Sequence, residues 1–196
     1  PMVFAADDDL VSGGNFHGQP VAMALDQLAI AAATIGTISE RRIERLVNPD
    51  LSGLPAFLTP DPGLHSGFMM AHVTAAALVS ENKILAHPAS VDTVPTSAAK
   101  EDHVSMGAHA ARKATRVVEN VARVLAIEAL CATQALDFRK PLRAGAGVEA
   151  ARRAVRRRIA RLQDDRVLAP DIERARELIE TSVLRDAAEG RVGALA

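Results

Sequence analysis

Apolar residues recur at positions 21, 24, 25, 28, 31, 32, 35 and 38, the spacing of one face of an α-helix. Pro20 suits the first helical turn, where its missing N–H costs nothing, and Asn48-Pro49 cannot continue the run beyond Val47. Positions 48–66 carry Pro49, Gly53, Pro55, Pro60, Pro62 and Gly63, but also Leu51, Leu54, Phe57 and Leu58. That mixture predicts an ordered loop, too apolar for a linker. A second helix is predicted from Gly67 to Leu85, stopping before His87-Pro88, and a second loop over 86–100. The longest helix is predicted from Glu101 to Phe138, ahead of Pro141. Ala144-Gly145-Ala146-Gly147 then marks a joint, followed by shorter helices over 148–162, 170–181 and 182–190. The pattern is that of an all-α fold. It divides into a long-helix bundle core over 1–143 and a smaller helical carboxy-terminal segment over 144–196.

A helix as long as the third would span about 54 Å at about 1.5 Å per residue. A compact globule of this chain length is only about 40 Å across. The helix must therefore kink or run in a bundle shared with other chains, and the shared bundle is the reading adopted. Asp26 and Glu128 each interrupt an apolar stretch. Either they are buried and bonded across helices or subunits, or they mark a polar stripe facing water.

With 48% hydrophobic residues the chain can bury a sizeable core, which excludes disorder. A net charge of −1 gives no reason to expect nucleic acid or an anionic membrane. The single cysteine, Cys131, excludes an intrachain disulfide and fits a buried structural thiol in a reducing cytoplasm. No basic region opens the chain, so no secretory signal is expected, and Pro1 ahead of Met2 reads as a tag remnant or a continuation from a longer chain. Pro62–Ser80 lacks charged residues, yet His65, Ser66, His72 and Thr74 favour a buried bundle helix over a membrane span.

Three segments stand out for chemistry. Ser-Gly-Gly-Asn-Phe-His-Gly-Gln-Pro (12–20) could bring backbone close to a ligand, or simply cap a helix. Ser-Glu-Asn-Lys (80–83) is followed by His87-Pro88. Lys-Glu-Asp-His-Val-Ser-Met (100–106) puts two carboxylates and a histidine at a predicted helix mouth, where they either complement the dipole or act as acid, base or substrate ligand. The six histidines form no metal-ligand spacing, and no nucleophile elbow is present. The basic cluster 151–158 is followed by Asp164, Asp165, Glu173, Glu177 and Glu180, which predicts an ion-paired, solvated face.

Taken together, these segments resemble the histidine ammonia-lyases of the aromatic amino acid lyase family. The resemblance rests on 12–20, on Arg-Arg-Ile-Glu-Arg-Leu-Val-Asn-Pro (41–49), Pro-Gly-Leu-His-Ser-Gly-Phe-Met (62–69) and Ser-Glu-Asn-Lys (80–83). His-Pro-Ala-Ser-Val-Asp (87–92) and Glu-Asp-His-Val-Ser-Met-Gly (101–107) continue it in family order, and 164–171 agree more loosely. The resemblance implies deamination of an aromatic amino acid by a methylidene-imidazolone electrophile, made from an Ala-Ser-Gly triplet. No such triplet and no tyrosine occurs in this sequence, nor does the family's Tyr-Ser-x-Arg stretch. The chain is therefore read as the carboxy-terminal part of a longer, cytoplasmic lyase, inactive alone. By resemblance Glu101 is the active-site carboxylate of the histidine branch. Phe16 packs near substrate and cofactor, and His17 lies where phenylalanine-specific relatives carry Gln. The partners implied are a small amino acid substrate, other copies in a homotetramer, and the amino-terminal half, with no metal, nucleic acid or membrane. Lys100 departs from the family's usual Gln, which keeps an aminomutase or another aromatic substrate in view. A non-catalytic helical assembly subunit is the reading from a different class.

Overall fold

The computed structural model describes residues 2–12 and 17–195. A short antiparallel hairpin, β1 (Met2–Phe4) with β2 (Asp9–Val11), opens the chain; it is wholly exposed and the sequence pattern did not announce it. Helices follow: α1 (Gln19–Val47), α2 (Pro49–Ser52), α3 (Met69–Leu85), α4 (Gly107–Phe138), α5 (Ala146–Arg158), α6 (Ala169–Glu180) and α7 (Val183–Val192). The all-α expectation holds.

Side-chain partners fix how the long helices run. Asp26 of α1 meets Lys113 of α4, and further along Ser39 and Arg42 meet Glu128. Partner numbers rise together, so α1 and α4 are parallel neighbours. On α3, His72 bonds Glu40, while Asn82 lies against Gly36 and bonds Asn120. There the numbers run in opposite senses, so α3 returns antiparallel between them. At about 1.5 Å per residue, α1 and α4 extend about 44 and 48 Å.

The packed faces are made of small and β-branched residues. Ala29 meets Ala114, Val117 and Val121 in one buried cluster. Ile43, Val47, Val124, Ile127 and Cys131 belong to a larger one. That larger cluster also takes in Val155, Ile159, Leu162, Ile172 and Leu178, so a single core crosses position 143. Cys131 is fully buried; desolvation, and then the Glu128 carboxylate, push its thiol well above the ordinary value, so it is inert.

Asp26 takes the first of the two alternatives left open above, buried and bonded; Glu128 is bonded across helices as well but only partly buried. Glu128 accepts from Ser39 Oγ at 2.6 Å and is gripped by the Arg42 guanidinium, all within this chain. Gln134, fully buried, ties the connector after α2 to the tail. Its amide donates to Leu58 O (3.1 Å) and Leu162 O (2.7 Å), and its oxygen accepts from Leu162 N (3.2 Å). The basic cluster is ion-paired as expected, but with different acids, and at Arg152 and Arg156 it is largely buried rather than solvated. Arg152 and Arg156 bond Asp137 at 2.8 and 2.9 Å, and Arg153 bonds Glu149 at 3.1 Å. The acids named from proximity in sequence are used elsewhere: Asp165 binds the backbone of Ser66 and Gly67, and Glu173 and Glu180 bind Arg176.

Expected helix boundaries are corrected in α3, α4 and α5. Helix α3 begins at Met69, because Gly67 is left-handed, and α5 ends at Arg158, where Ile159 turns extended. The longest helix begins at Gly107, not Glu101. Residues 97–99 take left-handed backbone angles, and Glu101 pairs its own backbone with Thr96, so the stretch to Met106 has no peptide groups aligned for a helix. Helix α5 begins inside the expected joint, at Ala146, because α7 packs there: a Cβ on Gly147 would lie 3.3 Å from Val192.

Gly67 has φ of +54°, and a Cβ on it would sit 2.5 Å from the Phe57 carbonyl oxygen. That oxygen also accepts from Phe68 N at 2.9 Å, so it cannot retreat without loss. Gly67→Ala is expected to cost about 2–4 kcal/mol from strain plus displacement of the 57–68 connector. Urea unfolding of the chain checks this; a loss below about 0.5 kcal/mol would contradict it.

Candidate functional site

Two of the segments singled out for chemistry, the described end of 12–20 and 100–106, meet where the amino end of α1 receives the α3–α4 loop, residues 86–106. Ser-Glu-Asn-Lys (80–83) stays inside α3, where Asn82 lies against Gly36 and Glu81 and Asn82 accept from Asn120. Gly18 lets that loop approach closely, since a Cβ there would lie 2.5 Å from Ser105 Oγ. His17 fastens it. Its Nε2 lies 2.7 Å from the His103 carbonyl oxygen, and its Nδ1 accepts from Gln19 N at 3.2 Å. A carbonyl can only accept, so Nε2 carries the proton and both ring nitrogens are engaged. The His103 ring lies beside it, centroids 5.3 Å apart.

The loop is tied at its start as well. Ser90 N donates to Asp26 Oδ2 at 2.7 Å, and Gln19 Nε2 donates to Ser90 O at 2.8 Å. Lys113 donates to the His87 carbonyl and lies 3.6 Å from Asp26 Oδ1. Burial alone would raise the Asp26 carboxyl. The backbone of Ser90 and Ala89, the Ser90 hydroxyl and Lys113 together outweigh it and hold the group below its ordinary value. The loop's two limbs are joined by Val104 N donating to Thr93 Oγ1 at 2.9 Å.

Glu101 sits at the far end of this loop. Its backbone bridges Thr96, with N···O separations of 3.1 and 3.3 Å, and every residue from 91 to 103 is exposed. Among the described residues its carboxylate has no hydrogen-bond partner. The histidine brought directly to His17 is His103; no hydrogen bond joins Glu101 to His17. Phe16 lies outside the described residues. Lys100 is exposed and its backbone N–H closes a turn onto Ser97 O at 3.2 Å.

This geometry carries the sequence's strongest motifs, 17–20 and 87–107, on one strip of surface. The family model for aromatic amino acid lyase matches residues 1–157. The chain belongs to the aromatic amino acid lyase family. Among curated members of that family it is 63% identical over 195 residues to the histidine ammonia-lyase of Symbiobacterium thermophilum, covering 100% of this chain and 38% of that protein. It is 60% identical over 186 residues to the histidine ammonia-lyase of Deinococcus radiodurans, covering 94% and 35%. Among solved lyase-family structures, histidine ammonia-lyase from Trypanosoma cruzi superposes with a TM-score of 0.89 at 54% identity, over 92% of this chain and 35% of that one. Tyrosine aminomutase from Streptomyces globisporus gives 0.88 at 41%, over 96% and 36%. The chain thus spans little more than a third of the length of these relatives.

Sequence reasoning missed Gln19, Ser90, Thr93 and Lys113. Asp26 did carry a signal, as a carboxylate inside an apolar run. Gln19 lay within 12–20 and Ser90 within 87–92, though neither stood out there. Thr93 and Lys113 carried no signal, because much of their bonding is to backbone atoms that a sequence does not pair.

His17→Phe keeps the ring's bulk and removes both hydrogen bonds. Amides over 101–105 are expected to exchange about tenfold faster in this variant. Unchanged exchange would mean that the histidine does not fasten the loop.

Proposed function

We propose that this chain is the carboxy-terminal part of a histidine ammonia-lyase, which converts L-histidine to urocanate and ammonia in the cytoplasm. The observation that carries the reading is Glu101, a carboxylate without a partner among the described residues, on a loop tethered at both limbs. Identity to the histidine ammonia-lyases, 63% and 60% for the two cited, supports it.

In this reading Glu101 accepts a hydrogen bond from the substrate imidazole and stabilises positive charge on it. Phe16 packs against the substrate, and His17 holds the loop in register. The methylidene-imidazolone group of the family supplies the electrophile that activates the amino acid for loss of ammonia. The described residues fit a wall beside such a group: an exposed acceptor, Glu101, and the closely packed Gly18. They do not fit its source, since Ala-Ser-Gly is absent from this sequence. The electrophile is therefore proposed to come from the amino-terminal part of the same enzyme.

A homotetramer is part of the proposal. Val21, Leu28 and Ile35, seven residues apart on α1, are all about half exposed or more, and α3 exposes Met70, Val73 and Ile84. By length and composition α1 could also cross a membrane. Its packed face, however, buries Asp26, Ser39 and Glu40 with bonded partners, so the outer stripe is assigned to neighbouring subunits.

The chain alone is expected to form no urocanate from histidine; measurable turnover by the purified chain would contradict this. In the enzyme assembled with the segment that carries Ala-Ser-Gly, Glu101→Ala should lower kcat/KM for histidine at least about a hundredfold. Near-normal turnover would remove Glu101 from the site.

A further inference from the structure

We propose that Asp26, together with Lys113, is a positioning residue for Glu101: the buried carboxylate fixes the Ser90 end of the loop and so sets where the exposed Glu101 tip projects. This rests on the reading of Glu101 given above.

Asp26 is 4% exposed, on a helix face otherwise apolar up to Leu25. A buried carboxylate is retained only where donors replace its lost water. Here the donors come from elsewhere in the fold: the Ser90 peptide in the loop and the Lys113 ammonium on α4. Lys113 is shared, because it also donates to the His87 carbonyl. Gln19, two turns before Asp26 on the same helix, holds the other side of the Ser90 peptide. The start of the loop is thus pinned at residues 87 and 90 to both parallel helices at once.

Among the described residues nothing comparable holds the tip. Residues 91–103 are all exposed, and the hydrogen bonds within 94–101 are the loop's own, between Thr96 and Glu101 and between Lys100 and Ser97. The tip also carries three consecutive left-handed non-glycine residues, Ser97, Ala98 and Ala99. Such a conformation persists only when its surroundings over-determine it. The constraints available among the described residues are the two tethered limbs, held by Asp26 and Lys113 on one side and by His17 on the other, with Thr93 joining limb to limb. A change at Asp26 therefore reaches Glu101 through the loop, without Asp26 approaching the substrate.

Asp26→Asn keeps size and one acceptor oxygen while removing the charge that Lys113 faces. In the 196-residue chain, amides from Ser90 to Val104 should exchange about tenfold faster, while those of α4 from Val121 to Ala135 keep their protection. In the assembled lyase, kcat/KM should fall about 10- to 100-fold, mostly in kcat, as a displaced catalytic group requires. Asp26→Asn combined with Glu101→Gln should be no slower than Glu101→Gln alone. Unchanged loop exchange would overturn the proposal. So would loss of protection in loop and core together, since that marks a merely structural ion pair. If Glu101→Gln itself leaves turnover intact, the reading of Glu101 fails, while the exchange result still decides whether Asp26 holds the loop. Should Asp26→Asn fail to fold, Gln19→Ala removes the second hold on Ser90 from the start of the helix and carries the same expectations.

Discussion

The parallel pairing of α1 with α4 is the constraint on which the rest of the structure depends. Two helices joined by nearly sixty intervening residues can be parallel neighbours only if a third element returns between them, and α3 does so. Small residues let the three axes approach, and β-branched residues fill what remains. Polar contacts then set the register: Asp26 with Lys113 near one end, Ser39 and Arg42 with Glu128 near the other. Asp26 is buried, so a slip by one turn would strand it without a donor, and the same slip would part the partly buried Glu128 from Ser39 and Arg42. Register at the Asp26 end is also what delivers the loop to the amino end of α1.

The candidate site follows from that delivery. Its rigid parts are helix ends and its chemical part is a loop, the usual division between scaffold and function. The loop's first limb is bonded to side chains from α1 and α4 and its second to His17, just ahead of α1, while its tip presents Glu101 to the outside. The lower half of the molecule is organised differently. Gln134 and Asp137 on α4 gather the connector after α2 and the arginines of α5 around one buried polar hub. The hub joins the carboxy-terminal helices to the bundle, and it lies far along α4 from the loop.

The long helices were legible because proline punctuates them: Pro20 and Asn48-Pro49 bound α1, and His87-Pro88 lies just past α3. The start of α4 was not legible. Glu101 and Asp102 suit a first helical turn as well as they suit a loop, and only the left-handed stretch at 97–99, which contains no glycine, decides between them. Ion pairing of the basic cluster followed from composition. The identity of the partners did not, because Asp137 belongs to a different helix. At the site, Glu101 and His17 were found through family motifs. What the sequence could not show is that both His17 nitrogens are engaged, one by the loop and the other by Gln19, since a backbone carbonyl 86 residues away leaves no mark in a motif.

The most direct test of the account is the structure of the assembled lyase with a non-reacting histidine analogue bound. The account predicts the Glu101 carboxylate within about 3 Å of an imidazole nitrogen of the ligand, with Ser90 still bonded to Asp26. A ligand bound at the electrophile with Glu101 more than about 6 Å from its ring would contradict it.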